Sequence, residues 1–310
     1  MNTLIKQNNQ LQPTNSRIIA GFFNSLDVAP STKKTYKKAL KQYLTYAVTE
    51  EVDIFNASKE QLLRYKASLL NTVKASTANT YLTVMRNFYS YLEEEDLIAR
   101  NKAKYIKAYK TGDTSPKEIL TTEQTRDFLS TYNRNKLEQY RDYAIAKLLS
   151  YTGLRTIEVR RANIEDIRTI NGKAVMFLQR KGKTDKSEFI NLVADVLNPI
   201  LEYLALRNET DLTSPLFCGH GNRNKGGRLC TDTISRTVKK HFRAINVNNP
   251  HITAHSLRHG VATQAYLAGV STEEIKELLG HSHSKTTDRY IKPLKRTEAK
   301  AELAIAKAFN

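Results

Sequence analysis

HSLRHGVATQAYLAGVSTEEIKELLGHSHSKTTDRY, residues 255–290, is the stretch that decides the fold of the second half of the chain. Two helical patterns lie inside it. The first places apolar residues at helical spacing and ends at Gly269, a residue type suited to the position after a helix. The second begins at Ser271, has Glu274 three residues later as in a capping box, and ends at Gly280. The sequence therefore predicts two short consecutive helices.

Side chains that can act at a phosphate stand around these two helices. Arg258 carries a permanent cation, His255 and His281 can move protons or donate hydrogen bonds, and Tyr290 offers a phenol. Breaking a phosphodiester requires a nucleophile, stabilisation of the charge on the non-bridging oxygens, and a proton for the leaving oxygen. The set therefore indicates chemistry at a phosphate.

Four motifs in this order resemble the signature of the tyrosine recombinases, the phage integrase and Xer class. TGLRTIEV (152–159) is similar to the first arginine motif of that family, and HSLRH, LGHSH and TTDRY are similar to its C-terminal motifs. Residues 15–105 resemble the family's N-terminal domain more loosely, and Lys102 follows Asn101 where the family usually has Asn-Pro. The resemblance implies a mainly α fold with a small β-sheet: a helical SAM-like core-binding domain followed by an α+β catalytic domain.

The resemblance also assigns roles to individual residues. Tyr290 is expected to be the nucleophile, while Arg155 and Arg258 hold the scissile phosphate through their paired guanidinium donors. His255 is expected to take the proton of the tyrosine or to bond the phosphate, and His281 to donate another hydrogen bond to the transition state.

A lysine and a glutamate complete the expected site. Lys181 lies in the turn RKGKTDK (180–186), which looks like the β-hairpin of the family that carries a lysine able to protonate the leaving oxygen. Lys183 and Lys186 lie close by in the same turn and remain alternatives. Glu158, one helical turn after Arg155, is expected to orient that arginine. His259 and His283 are expected to be ordinary capped or core histidines.

The composition supports a polyanionic partner. The chain has 310 residues with 49 Lys+Arg against 31 Asp+Glu, a formal net charge of +18, which favours nucleic acid over a merely basic protein. The lysines are spread along the chain, and no apolar run approaches the roughly 18 residues of a membrane helix. No secretory signal is visible, and Cys218 and Cys230 form no CxxC pair. We therefore expect a cytoplasmic protein without a membrane partner.

The predicted organisation has four parts: a flexible tail (1–14), a helical core DNA-binding domain (15–105), a basic linker (106–117) and a catalytic domain (118–310). Joined in this way, two basic domains could close around a duplex. A hairpin is expected over 174–193. Helical periodicity predicts helices at about 31–48 with Ser31 as N-cap, from Ser58 to 69, and at 77–94, 122–132, 141–152, 193–207, 231–244, 256–268, 271–279 and 294–309.

The expected DNA contacts outside the catalytic set lie in the N-terminal domain, where a solvated face is the alternative interpretation. These residues are Lys33, Lys34, Lys37, Lys74, Ser76 and Arg86. The aromatic residues at helical spacing over 81–92 are expected to be core and not platforms for base stacking.

The resemblance implies further partners: double-stranded DNA with paired inverted-repeat sites, a homotetramer on that DNA, and possible accessory proteins. No cofactor and no metal are expected. The C-terminal helix, about 294–310, could dock on its own chain or exchange into a neighbouring protomer, as the family does. We expect no arm-binding domain like that of lambda-like integrases, because the N-terminal part is short, and this expectation favours an Xer-like or mobile-element enzyme.

Three competing functions share some features of this sequence. A metal enzyme would suit His255 and His259 at i and i+4, but no glutamate lies between them and no carboxylate cluster accompanies them. A DNA-binding protein without catalysis needs no phenol at Tyr290. A relaxing enzyme of the type IB topoisomerase kind shares the chemistry of the motifs, but the predicted N-terminal domain and the terminal helix fit paired sites better.

Overall fold

The computed structural model describes residues 13–111, 120–222, 224–249, 251–297 and 301–309. The chain divides into two compact units, Met1–Thr114 and Ser115–Asn310. Helices build most of both units, and the described residues contain one small sheet, in the second unit. The fold class predicted from the sequence, mainly α with a small sheet, is therefore confirmed.

The described residues of the first unit form four α-helices around an aromatic core. They are α1 (Pro13–Ser25), α2 (Pro30–Thr49), α3 (Lys59–Leu69) and α4 (Ala75–Glu94). Phe88 and Tyr65 are fully buried, and the hydroxyls of Tyr43 and Tyr89 lie 2.6 Å apart inside the core. The aromatic residues of α4 at helical spacing are core, as predicted: Phe88 packs on Phe22 and Tyr89 packs on Tyr43.

The beginnings of these helices follow local capping rules, with one correction. Ser58 caps α3, and its side chain and that of Gln61 satisfy each other's backbone N–H groups. Ser31, predicted as the cap of α2, lies inside the helix, which begins at Pro30 after Ala29. Proline suits the first helical position because its fixed φ is helical and its missing N–H would have had no partner there.

The first unit extends beyond residue 105, where the sequence analysis placed its end. Ile106 is fully buried against the core of the unit. The backbone N–H of Tyr109 donates to Asn79 Oδ1 at 2.7 Å, and Asn79 Nδ2 donates back to the Tyr109 carbonyl at 3.0 Å. The first part of the predicted linker is therefore packed chain. Residues 112–117 of that linker and residues 1–12 of the predicted tail lie outside the described residues.

The second unit combines helices with a three-stranded antiparallel sheet. The strands are β1 (Ile167–Ile170), β2 (Lys173–Leu178) and β3 (Glu188–Asn191), with β2 in the centre. Pairing of Met176 with Ile190 confirms the predicted hairpin, and β1 adds a strand that the sequence analysis missed. The helices are α5 (Thr122–Ser130), α6 (Leu137–Thr152), α7 (Thr156–Arg161), α8 (Ala194–Arg207), α9 (Thr231–Ala244), α10 (Ala254–Leu267), α11 (Thr272–Leu279), α12 (Ser284–Thr297) and α13 (Ala301–Phe309).

The C-terminal region differs from the single helix predicted over 294–309. Residues 294–297 close α12, which begins at Ser284 and carries Tyr290, and α13 is a separate helix. The narrow stripe of Thr287, Tyr290 and Ile291 on α12, all buried, is what makes this polar segment a packed helix. None of the helices within the described ranges is long and apolar enough to cross a membrane.

Candidate active site

A small hydrophobic cluster, separate from the main core of the second unit, holds Tyr290 in place. Helices α10, α11 and α12 pack on one another, and the cluster contains Val261 of α10, Leu279 of α11 and Ile291 of α12. The Tyr290 ring belongs to this cluster and is only 6% exposed. The phenol is therefore fixed by packing within its own chain.

The turn between α6 and α7 brings the first arginine motif to the same place. Gly153 ends α6 with φ +63°, a left-handed conformation that glycine adopts without strain. A Cβ at this position would lie 2.7 Å from Leu279 Cδ2, so the glycine also permits α6 and α11 to approach closely. The next helix, α7, then begins directly after Arg155.

Glu158 binds Arg155 twice. Its Oε1 accepts from Arg155 Nη1 at 2.9 Å, and its Oε2 accepts from the Arg155 backbone N–H at 2.8 Å. The Glu158 side chain is fully buried, whereas that of Arg155 remains 23% exposed. This geometry suits the orienting role expected of Glu158, because part of the guanidinium stays open to a ligand.

Arg258 is the largest fully buried side chain among the described residues. Its Nη1 donates to the Gly153 carbonyl at 2.8 Å, and its Nη2 donates to the Leu279 carbonyl. Its Nε has no hydrogen-bond partner within the described part of the chain. Burial, and then the nearby charge of Arg155, lowers the pKa of Arg258 to about 10, with Glu158 and Tyr290 acting in the opposite direction. The guanidinium therefore remains a cation at neutral pH.

His281 lies two residues after the end of α11 and is buried as a neutral ring. Its Nδ1 lies 2.8 Å from the Thr287 hydroxyl, while its Nε2 has no partner among the described atoms. Burial lowers the pKa of His281 to about 3, and the charges of Arg258 and Arg155 act in the same direction. A neutral imidazole carries one N–H, so His281 can offer a single hydrogen bond to an anion at neutral pH.

Three imidazoles surround the Tyr290 phenol. His255 is exposed, and its Nε2 lies 3.4 Å from the Tyr290 hydroxyl. The ring centroid of His281 lies 5.4 Å from that of Tyr290. The ring centroid of His259 lies nearer, at 3.8 Å. The sequence analysis had treated His259 as an ordinary histidine, although its i+4 spacing from His255 places both on one side of α10.

The loop between β2 and β3 carries the three candidate lysines, and they differ in their surroundings. Lys186 Nζ lies 2.5 Å from Oδ2 of the buried Asp166, so this lysine is engaged in an ion pair. Lys181 and Lys183 are exposed. The fold brings together six of the expected site residues, which are Arg155, Glu158, His255, Arg258, His281 and Tyr290. Within the described residues, Lys181 makes no hydrogen bond or ion pair to their side chains. Lys181 and Lys183 remain the candidates for the acid.

Arg180, which precedes Lys181, had no role in the sequence analysis. Its side chain is only 6% exposed, and its Nη1 lies 3.7 Å from Glu158 Oε2. The fold therefore places a second arginine beside Glu158, in addition to Arg155. The local sequence contains no signal for this contact, because the partner lies 22 positions away in the chain.

The predicted DNA contacts of the first unit lie on two helices that pack on each other, α2 and α4. On α2, Lys34 and Lys37 are exposed and Lys33 is half-buried. Lys74 and Ser76 are exposed at the beginning of α4.

Arg86, about three turns further along α4, folds back on its own helix. Its Nε donates to the Leu82 carbonyl at 3.2 Å, and its Nη2 donates to Thr83 Oγ1 at 3.1 Å. The lysines and Ser76 are thus presented to solvent, whereas Arg86 is half-buried and already bonded.

Comparisons with known proteins match both units of the chain. The Phage integrase family matches residues 118–296, and the Phage integrase, N-terminal SAM-like domain matches residues 19–96. Tyrosine recombinase XerC of Pelobacter propionicus is 30% identical over 267 residues, which cover 85% of each chain.

Two solved structures share the fold. One is the XerH site-specific recombinase bound to palindromic difH substrate in a post-cleavage complex, with a TM-score of 0.75 at 19% identity over 99% of this chain and 91% of that one. The other is a lambda integrase tetramer bound to a Holliday junction, with a TM-score of 0.65 at 13% identity over 89% and 76%. The family match and the curated relative favour a site-specific recombinase over a relaxing enzyme or a non-catalytic DNA-binding protein. With its catalytic and N-terminal domains both matched, the chain belongs to the phage integrase family of tyrosine recombinases.

Proposed function

We propose that this tyrosine recombinase cuts and rejoins duplex DNA at specific sites through a covalent 3′-phosphotyrosyl intermediate on Tyr290. The observation that carries the proposal is the position of the Tyr290 hydroxyl in the same chain as, and next to, Arg258 and three imidazoles. Binding alone would not require a phenol held in this way.

In the proposed cleavage step the Tyr290 oxygen attacks the scissile phosphorus. The O–P bond of the ester forms as the bond from phosphorus to the 5′-oxygen breaks, and His255 at 3.4 Å receives the phenolic proton. Arg155 and Arg258 bind the non-bridging oxygens, and the Nε2–H of His281 donates a further hydrogen bond.

The leaving 5′-oxygen takes its proton from a lysine of the β2–β3 loop, Lys181 in the first instance and Lys183 as the alternative. Because the ester retains the energy of the broken bond, attack by a 5′-hydroxyl of another strand reverses the step without ATP. Two such exchanges pass through a Holliday junction and recombine two duplexes.

We further propose that four copies act together on paired inverted-repeat sites, with α13 docked on a neighbouring copy. Ile305 and Phe309 of α13 are 54% and 84% exposed, an apolar face that docking would cover. The relatives in complex with a palindromic substrate and as a tetramer on a junction support this assembly as a proposal. We also propose that accessory proteins decide whether the four copies carry out integration, excision or dimer resolution.

Within the first unit, the exposed Lys34, Lys37, Lys74 and Ser76 are proposed to meet the DNA backbone, together with the half-buried Lys33. Arg86 would join them only by giving up its bonds to α4. Loss of a single phosphate-binding lysine should weaken binding similarly for all sequences and lower the salt dependence of binding by about one counterion.

The proposal is tested with a nicked suicide substrate that traps the covalent adduct, using DNA sites recovered from the protein by adduct sequencing. Wild-type protein should form a band stable to denaturation, and Tyr290→Phe should bind the same DNA without forming it. Equal cleavage at random sites, with relaxation of any supercoiled plasmid, would support the topoisomerase-like alternative. An adduct that persists in Tyr290→Phe would refute the assignment of the nucleophile.

A further inference from the structure

Arg180 is held on several sides by groups from different parts of the second unit. Its Nε donates to Glu188 Oε2 at 3.0 Å, across the hairpin loop, and its Nη1 faces Glu158 Oε2 at 3.7 Å. Its Nη2 lies within hydrogen-bonding distance of the carbonyls of Glu277 and Leu278, at 3.4 and 3.2 Å. These two carbonyls belong to the last turn of α11, which ends at Leu279, two residues before His281.

Gly280 shows how closely the guanidinium lies against the end of α11. This glycine has φ +59°, and a Cβ added to it would lie 2.6 Å from Arg180 Nε and 2.7 Å from Cζ. The residue between α11 and His281 is thus a glycine both for its backbone conformation and for the space that Arg180 occupies. The Arg180 charge is also one of the causes that lower the pKa of His281, which places it within electrostatic range of that ring.

The loop that Arg180 begins is fixed at its other end as well. Lys186 pairs with the buried Asp166, while Lys181, Lys183 and the residues between them are exposed. Arg180 and Lys186 therefore hold the two ends of a short exposed segment. The position of its first residue, Lys181, depends on where the Arg180 backbone is held.

We propose that Arg180 is a positioning residue, which couples the loop carrying Lys181 to the Arg155–Glu158 pair and to the end of α11 before His281. The inference rests on the proposed function, in which Lys181 protonates the leaving 5′-oxygen. Arg180 touches no reacting atom. It acts by fixing where the ammonium of Lys181 reaches the DNA and by bracing the carboxylate that orients Arg155.

A simple structural role would predict something different. Removing one partner of a buried ion pair commonly destabilises a protein, so a loss of activity in Arg180→Ala alone would decide nothing. The two roles separate when the leaving group changes. A leaving alkoxide needs a proton, because the pKa of an alcohol is close to the roughly 15.7 of water, whereas a thiol with a pKa of about 8.5 leaves as a thiolate without one.

The experiment measures single-turnover cleavage of two suicide substrates that differ in one atom. One has the natural 5′-oxygen at the scissile phosphate and the other a bridging 5′-sulfur. The result of interest is the ratio of the sulfur rate to the oxygen rate in the same preparation. Partial unfolding lowers both rates equally and cancels from this ratio. The variants are Arg180→Ala, Arg180→Lys, Lys181→Ala and Arg207→Ala.

Arg207 is the matched control, since its side chain is also 6% exposed and also bonds a carboxylate and a carbonyl, those of Glu209 and Pro215. General acid catalysis contributes about 10²- to 10⁴-fold, so Lys181→Ala should raise the sulfur-to-oxygen ratio by about 10² or more. Arg180→Ala should raise it by roughly 10- to 100-fold as the acid loses its position. Arg180→Lys should give an intermediate ratio, and Arg207→Ala the wild-type ratio.

A wild-type ratio in both Arg180 variants, with a raised ratio in Lys181→Ala, would overturn the positioning role and leave the proposed function intact. Failure of the wild-type protein to form an adduct with either substrate would instead refute the proposed function. A raised ratio in Arg207→Ala would show that the ratio reports general loosening of the fold, and would also overturn the inference.

Discussion

Replacing Thr287 by valine tests how the structure prepares His281. Thr287 is completely buried on α12, and its hydroxyl lies 2.8 Å from His281 Nδ1. If this hydroxyl donates to Nδ1, the only N–H of the neutral imidazole is on Nε2, which has no partner in the described structure. Valine has the shape of threonine without the hydroxyl, so the change removes this preference and little else.

The magnitude follows from the value of one hydrogen bond. A buried acceptor left without its donor costs about 1–3 kcal/mol. Without the Thr287 hydroxyl, the tautomer with its N–H on Nε2 therefore loses its advantage in free energy over the tautomer with its N–H on Nδ1. Losing a preference of about 1 kcal/mol slows cleavage roughly 5-fold, since 1.4 kcal/mol corresponds to a factor of ten. Complete loss of the donor would slow it by about 10²- to 10³-fold, which sets the upper limit.

The assay is single-turnover formation of the covalent adduct, with thermal unfolding measured in parallel. Thr287→Val should be roughly 5- to 10-fold slower than wild type, within the limits of one hydrogen bond. Thr287→Ser keeps a hydroxyl and should stay close to the wild-type rate. Thr286→Val, the neighbouring position on the same helix, is the matched control. A wild-type rate for Thr287→Val, or an equally slow Thr287→Ser, would refute the tautomer argument.

Three further predictions concern stability. The pKa of His281 is lowered to about 3 in the folded state, from about 6.5 in the unfolded state. The stability linked to this shift is therefore complete above pH 6.5 and is lost as the pH falls below that value. In urea titrations between pH 7 and 5, the free energy of unfolding of His281→Asn should depend less steeply on pH than that of the wild type. The difference in slope should be up to about 1.4 kcal/mol per pH unit. Gly153→Ala should lose more stability than Gly269→Ala: both glycines have positive φ, but only the first has a neighbour within 4 Å. The difference in thermal unfolding should be about 1–3 kcal/mol, the cost of overpacking. Tyr43→Phe leaves the buried hydroxyl of Tyr89 without its partner at 2.6 Å and should cost about 1–3 kcal/mol in urea.

Local rules account for most of what the sequence predicted correctly. The capping boxes at Ser58 and Ser271 lie within four residues, and both begin helices as expected. The hairpin was visible because two apolar strands flank a polar turn. In contrast, Ser31 was a plausible cap, but Pro30 directly before it starts the helix. The choice between neighbouring candidates needs the backbone conformation, which the pattern alone does not contain.

The site was predictable as a set of residue types, but its internal contacts were not. The order of the motifs predicts that Arg155, Arg258 and Tyr290 share one site. In the structure, Arg258 is held in that site by hydrogen bonds to the carbonyls of Gly153 and Leu279. The engagement of Lys186 by Asp166, 20 positions away, could not be read from the turn itself. The same holds for the place of Arg180 beside Glu158, because tertiary packing decides which basic residue of a turn is buried.

The charges of the site leave it incomplete without an anion. Glu158 is shared between Arg155 and Arg180, and two of the hydrogen bonds of Arg258 end on carbonyl oxygens, those of Gly153 and Leu279. Burying a cation is unfavourable, and burial is the first cause of the lowered pKa of Arg258, outweighing the opposite effects of Glu158 and Tyr290. His281 adds no further charge because it stays neutral. A phosphate entering the pocket would therefore bind donors that are already oriented and would relieve a cost present in the free protein. Protein already held in this geometry need not reorganise as charge develops on the phosphate oxygens, and that is the condition under which fixed donors accelerate a reaction.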